Sequence, residues 1–90
     1  MKKIKMFMLD TCPYCKAALG WMDELYAQNP EYKSIEIEII EEVSQAEIAN
    51  QYDYYYVPTY YVDEEKVHEG AASYEIVKGV FDAAMSSNKQ

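Results

Sequence analysis

Two cysteines stand three residues apart in Cys12-Pro13-Tyr14-Cys15, and the chain has no others. A thiol pair at this spacing is suited to exchanging electrons with a disulfide, one sulfur attacking and the other resolving. Bridged to each other, the two would close a very small loop. That removes little entropy from the unfolded chain and makes a poor structural clamp. The motif follows an apolar segment, Ile4 to Leu9, and opens a helical pattern in Ala17, Ala18, Met22 and Leu25. Such a pair on a strand-to-helix turn in a βαβ setting reads as a redox dithiol. Pro13 suits the first helical turn, where its missing N–H costs nothing. Cys12 then falls at the N-cap edge, beside unpaired peptide N–H groups and the positive end of the helix dipole. A thiolate there has its pKa lowered from about 8.5 into the range of roughly 3.5–7.5. Asp10, two residues before Cys12, and the acidity of the chain oppose this by like-charge repulsion, so a moderate depression is expected. Cys15, one turn further in, is placed to attack a mixed disulfide formed on Cys12.

The elements that must position this pair follow from periodicity. Lys3 to Leu9 reads as a strand covered on both faces, with Ile4, Met6 and Met8 on one side and Phe7 and Leu9 on the other. A first helix is predicted from Pro13 to Gln28, ending at Asn29-Pro30, with Ala18, Met22 and Leu25 as its core stripe and Trp21 and Tyr26 beside it. Gly20 inside that helix costs about 1 kcal/mol of propensity, which suggests close packing against the sheet. Ser34 to Ile39 alternates with period two and is placed as a half-exposed edge strand. Ser44-Gln45-Ala46-Glu47 has capping-box spacing and predicts a short helix ending near Tyr52. Glu41 and Glu42 before it suit a helix N-terminus or a solvated loop equally. Thr59 to Val62 and Lys66 to Glu69 form a hairpin about the turn Asp63-Glu64-Glu65. Gly70-Ala71-Ala72 then leads into a third helix, N-capped by Ser73, with Ile76, Val77, Val80, Phe81 and Ala84 on one face. Ser86 to Gln90 is a polar tail.

The length of 90 residues corresponds to a single domain, 1–90, without repeats or linkers. A net charge of −8, with 16 acids, leaves no basic stripe to neutralise phosphates, so nucleic-acid binding is not expected. All 8 basic residues are lysines. The usual bidentate clamp for a carboxylate is therefore missing, and an anionic substrate must rely on lysines and backbone N–H groups. Lys16 is the nearest cation in sequence to the dithiol, through tuning or through plain solvent exposure. Met1 to Asp10 begins like a signal peptide, but its apolar run, Met6 to Leu9, falls short of the roughly 7–15 residues needed. No stretch approaches the ~18–20 apolar residues of a membrane helix. A soluble protein of a reducing compartment, the cytoplasm, is expected. His68 is expected at a surface strand position, Met6 and Met8 in the core, and no metal site is assigned.

Thr11-Cys12-Pro13-Tyr14-Cys15, Val57-Pro58-Thr59 some forty residues on, and His68-Glu69-Gly70 together resemble the glutaredoxin branch of the thioredoxin-like superfamily. The resemblance covers essentially the whole chain. It implies an α/β, thioredoxin-like (glutaredoxin) fold in the order βαβαββα, a four-stranded mixed sheet flanked by three helices. It also implies a cis bond at Val57-Pro58. Such a bond turns the backbone groups of the preceding residue outward, where they can pair with an extended substrate beside Cys12. Ordinary placement of a proline at a strand start is the alternative. The implied substrate-binding set is Pro13, Tyr14, Tyr56, Val57, Pro58 and Ser73, with Cys12 and Cys15 catalytic.

Departures from the family pattern bear on the reductant. Glutathione-using members carry a lysine where this chain has Leu9, and a threonine where it has Tyr56. Their Gly-Gly turn and acidic pair are replaced by Gly70-Ala71-Ala72 followed by Ser73 and Tyr74. Ser73 either offers a hydroxyl and N–H groups to a ligand or serves simply as an N-cap. The expectation is a dithiol-disulfide oxidoreductase acting as a monomer on a protein or small disulfide, with weak or no glutathione dependence. It has no tightly bound cofactor, and either glutathione or a thioredoxin-type flavoenzyme supplies its electrons. Two other readings are an iron–sulfur carrier, whose four-cysteine site would need a dimer, and a non-catalytic partner-binding module. Tyr52, Tyr54, Tyr55 and Tyr56 either form an aromatic rim for a peptide or partner, or alternate between packing under the second helix and facing water.

Overall fold

The computed structural model describes residues 2–86; Met1 and residues 87–90, most of the predicted polar tail, lie outside the described residues. Along the chain run β1 (Ile4–Met8), α1 (Pro13–Gln28), a 3-10 turn (Pro30–Ser34), β2 (Ile37–Glu41), α2 (Ala46–Ala49), β3 (Thr59–Val62), β4 (Glu65–Glu69) and α3 (Tyr74–Met85). The strands form one sheet in the order β2-β1-β3-β4. β1 pairs with β2 in parallel, while the β1–β3 and β3–β4 pairs are antiparallel. This is the four-stranded mixed sheet with three helices of a thioredoxin-like α/β fold. β1 lies inside the sheet and β2 at an edge, so the chain leaves β1 for α1 at the centre of the molecule.

Alternation along β1 builds two cores. Ile4, Met6 and Met8 face α1 and α3, where they meet Ala18, Met22 and Leu25 of α1 and Val77, Val80, Phe81 and Ala84 of α3. Tyr60 and Val62 of β3 join them from the sheet. Phe7 faces the other way into a smaller cluster with Ile40, Ala49 and Tyr61. Its ring has Tyr52, Tyr54 and Tyr61 around it at centroid distances of 4.8, 4.9 and 5.6 Å, within the range where aromatic pairs attract. The short α2 and the tyrosine-rich loop together cover this face. The tyrosines therefore divide: Tyr52 and Tyr54 pack on Phe7, whereas Tyr55 and Tyr56 are exposed.

Several local signals gave way to competing ones. β2 begins three residues later than its alternation suggested, because Pro30 nucleates the 3-10 turn that takes up residues as far as Ser34. In consequence Ile39 is largely exposed and Ile40, outside the predicted strand, is fully buried against Phe7. The capping box at Ser44 does not form. α2 starts at Ala46, has Gln45 as its N-cap with no side-chain cap bond, and ends at Ala49 rather than near Tyr52. Glu41 instead organises this turn, its Oε1 accepting the N–H groups of Val43 and Ser44 at 2.9 and 2.8 Å. Gly20 is not at a close approach, since a Cβ there would meet nothing within 4 Å. Ile76 stands on the exposed side of α3.

Other signals were sufficient. Ser73 is the N-cap of α3, its Oγ accepting the N–H of Ile76 at 3.1 Å. The hairpin turns on two residues, Asp63 and Glu64, both with positive φ (48° and 70°) as a type I′ turn requires, and Glu65 belongs to the strand. These two serine sites yield contrasting expectations. Ser73→Ala should destabilise the protein by about 1 kcal/mol through loss of a cap, while Ser44→Ala, at an exposed turn, should stay within about 0.5 kcal/mol. Urea unfolding of the two variants measures both.

Candidate active site

The break between β1 and α1 places the dithiol at the sheet's edge, above its central strands. Cys12 is the N-cap of α1 with extended backbone (φ −86°, ψ 119°), and Pro13 occupies the first helical position. The N–H of Cys12 donates to Leu9 C=O at 3.0 Å, and its own carbonyl accepts from Cys15 and Lys16 at 3.1 Å each. Both cysteines are free thiols, Cys12 half-buried and Cys15 buried. Cys15 therefore sits beneath Cys12 on the core side of the helix, with the Leu9 N–H directed at its sulfur at 3.5 Å.

The two thiols differ in acidity for identifiable reasons. The peptide N–H of Cys15 is foremost in holding Cys12 below the ordinary thiol range, with help from the Cys15 thiol and the Tyr14 N–H. The helix start thus acts on the sulfur as expected, although the Cys12 side chain makes no capping hydrogen bond of good geometry. Burial pushes Cys15 up to about 11. Burial opposes the Cys12 thiolate, and among the acids Glu42 does so as well. Parallel pairing of Met8 with Glu41 brings the next residue of the chain beside the dithiol turn, and the N–H of Glu42 donates to Met8 C=O at 2.9 Å. Lys16 is solvent-exposed and is not among the groups acting on Cys12.

The loop entering β3 forms the second wall. The Val57-Pro58 bond is cis. Pro58 is buried, and its carbonyl accepts the N–H of Gly70 at 2.9 Å. Val57 packs against both cores, yet its own N–H and C=O have no hydrogen-bond partner among the described residues. Tyr14 and Tyr56 are exposed, at 61% and 70%. Tyr56 lies against the glycine turn, where a Cβ on Gly70 (φ +97°) would stand 3.7 Å from its Cβ. Thus Cys12 and Val57 border one core and Tyr56 borders the turn before α3. Ser73 uses its hydroxyl to cap that helix. His68 does not stand free on its strand. It is half-buried, and its Nε2 lies 3.1 and 3.0 Å from the carbonyls of Gly70 and Ala71, so an Nε2–H donor would pin the turn.

Of three further residues with a part in this geometry, His68 and Glu69 were marked only by the resemblance at His68-Glu69-Gly70, and Glu42 only as a helix-start or loop acid. Glu69 binds the N–H groups of Tyr55 and Tyr56, and its partners lie more than ten residues away. A Glu in an alternating strand reads as a solvated face, and only the strand register could have revealed otherwise.

The acidities give a pH dependence with a definite sign. Below the usual thiol range Cys12 is already thiolate and should be alkylated by iodoacetamide, whereas Cys15 stays protonated until about pH 11. Glu42 raises the Cys12 pKa, so Glu42→Gln should move the alkylation profile to lower pH. A shift to higher pH would show that Glu42 supports the thiolate instead. Mass-resolved alkylation across pH 4–10 reads this out.

No curated protein matches the chain. The family model described as Glutaredoxin matches residues 4–67, from β1 through the dithiol, the cis-proline and β3 into β4. With the four-stranded mixed sheet, the thiol pair at the start of α1 and that match together, the chain belongs to the glutaredoxin family and has a thioredoxin-like redox function.

Proposed function

We propose that the protein is a dithiol-disulfide oxidoreductase that reduces disulfides through Cys12 and Cys15. The observation that carries this reading is the inequality of the two thiols, an accessible one of lowered pKa and a buried one of raised pKa. The Cys12 thiolate attacks one sulfur of the substrate. A Cys12–substrate disulfide forms, the substrate S–S bond breaks, and the other half leaves as a thiolate that takes a proton from water. Cys15 then gives up its proton and attacks the Cys12 sulfur. The second half leaves as a thiol, and two electrons have passed from protein to substrate. The order of events follows from the electrostatics. Besides burial, the hydrogen bond to Cys12 and its charge both hold the Cys15 pKa up, and both disappear once Cys12 is in a mixed disulfide. Resolution is thereby favoured only after attack.

In this reading Val57 presents its unpaired N–H and C=O to an extended substrate, Pro58 holds that edge open, and Tyr14 and Tyr56 supply contact area on either side. The protein acts as a monomer on a protein or small disulfide and has no resident cofactor. The electron donor is a thioredoxin-type flavoenzyme in preference to glutathione. The charge distribution supports this. Lys3, Lys5, Lys66 and Lys78 are engaged in ion pairs with the chain's own carboxylates, and Glu42 adds negative charge beside Cys12. Neither feature suits an anionic tripeptide. Among the described residues no helix is long and apolar enough to cross a membrane.

The test follows NADPH consumption with a disulfide substrate, comparing glutathione plus glutathione reductase with a thioredoxin-type reductase. Turnover mainly with the flavoenzyme is expected. Rapid turnover with glutathione would overturn the reductant assignment, and turnover with neither would overturn the oxidoreductase reading. Cys12→Ser should abolish activity altogether. Cys15→Ser should accumulate a mixed disulfide on Cys12, visible as added mass that is lost with dithiothreitol.

A further inference from the structure

The last residues of β4 grip the loop that carries the cis-proline. Lys66 Nζ lies 2.8 Å from Glu69 Oε1 and also donates to the carbonyl of Asp53 at 3.1 Å. The other carboxylate oxygen, Glu69 Oε2, accepts the N–H of Tyr55 and, at 3.1 Å, the N–H of Tyr56. The buried Thr59 hydroxyl donates to the carbonyl of Tyr56. Tyr61 OH donates to Asp53 C=O at 2.8 Å. Of the backbone groups from Asp53 to Tyr56, four are thus tied down by side chains of β3 and β4. The Val57 N–H and C=O, next to the cis bond, are left without a partner among the described residues.

We infer that Glu69 is a positioning residue for substrate, resting on the oxidoreductase reading above: its carboxylate holds the peptide planes that carry the Tyr55 and Tyr56 N–H groups and so, together with the Thr59 hydroxyl, aims the Val57 N–H and C=O at an extended disulfide-bearing chain. The carboxylate and the hydroxyl hold successive planes. Peptide units are planar, so holding the Tyr56 N–H fixes the plane between Tyr55 and Tyr56. The Thr59 hydroxyl on the Tyr56 carbonyl fixes the next plane, which contains the Val57 N–H. The cis bond to Pro58 fixes the one after. Without Glu69 the first plane is free, while Tyr55 and Tyr56, exposed at 84% and 70%, have little packing to restrain them. Hydrogen bonds to a charged acceptor are the stronger class, and Glu69 is only 21% exposed, with Lys66 beside it. The same clamp denies the Tyr55 and Tyr56 N–H groups to any ligand.

A substrate that pairs with backbone should sense Glu69, and one too short to reach Val57 should not. Steady-state kinetics of the parent, Glu69→Ala and Glu69→Gln are compared on a disulfide-linked extended peptide and on 2-hydroxyethyl disulfide. Loss of the charged acceptor in Glu69→Ala should raise KM for the peptide about tenfold. Its kcat, its KM for the small disulfide and the alkylation profile of Cys12 should stay unchanged. Glu69→Gln keeps an acceptor oxygen and should restore the peptide KM to within about threefold of the parent. Lys66→Met, which removes the cation beside Glu69 and one of the two bonds to the Asp53 carbonyl but leaves the carboxylate, should give a smaller rise in the same direction and serves if Glu69→Ala does not fold. Amide exchange at Tyr55 and Tyr56 should quicken in Glu69→Ala. An unchanged peptide KM despite faster exchange overturns the positioning role. Equal losses on both substrates with a shifted alkylation profile also overturn it, because they mark general disruption. A parent inactive on both disulfides instead overturns the oxidoreductase reading itself.

Discussion

The opening turn of α1 carries peptide N–H groups that no carbonyl of the helix can reach, and the chemistry of this protein depends on them. Pro13 removes one such donor without loss and sets the helical φ. The Cys15 and Tyr14 N–H groups remain and lower the pKa of the Cys12 sulfur. The same turn puts Cys15 on the inner face of the helix, where burial keeps it protonated. One local geometry thus gives two chemically identical residues opposite shifts in acidity. No cationic side chain is needed, which agrees with a chain so acidic and with lysines engaged elsewhere.

The rest of the fold serves to bring a second wall to that turn. Phe7, fully buried between the sheet and the tyrosine loop, anchors the face opposite α1 and α3. Tyr52 and Tyr54 pack on its ring, and their hydroxyls reach outward to Glu64 and Glu42, both at 2.8 Å. Each ring buries its apolar body and satisfies its polar tip at the rim, the arrangement tyrosine suits best. Because Tyr54 is bonded to Glu42, the loop before the cis-proline is tied to the end of β2, whose carboxylate also acts on Cys12. The nucleophile and the substrate-facing edge are therefore linked through one acid, and a movement of the loop would alter the charge felt at the sulfur.

Where the sequence reading was accurate, the interactions concerned were short in range. The helix Pro13–Gln28, the cap at Ser73, the strand Thr59–Val62 and the inward faces of β1 all rest on spacings of two to four residues. Where it erred, a competing neighbour displaced the expected pattern. The alternation of Ser34 to Ile39 was real, but Pro30 drew its first residue into a 3-10 turn. Ser44 had the spacing of a capping box, but the carboxylate of Glu41 took its backbone N–H first. His68 looked like a surface residue because its partners, two carbonyls beyond the strand, are available only once Gly70 turns with positive φ.

The residue types in Cys12-Pro13-Tyr14-Cys15, and their place at a strand-to-helix junction, determined the thiol pair and which of the two is the more acidic, since helix starts have the same unpaired donors in any protein. Tertiary structure alone decided how strongly that pair is tuned and what frames it. Parallel pairing of β1 with β2 brought Glu42 to the dithiol. Antiparallel pairing of β3 with β4 set Glu69 opposite Thr59, next to the loop it clamps. The split of four neighbouring tyrosines into two half-buried and two exposed followed from the position of Phe7. Each of these outcomes depends on strand register, and register is set by the fit of whole faces against a core, which a local window of sequence does not contain.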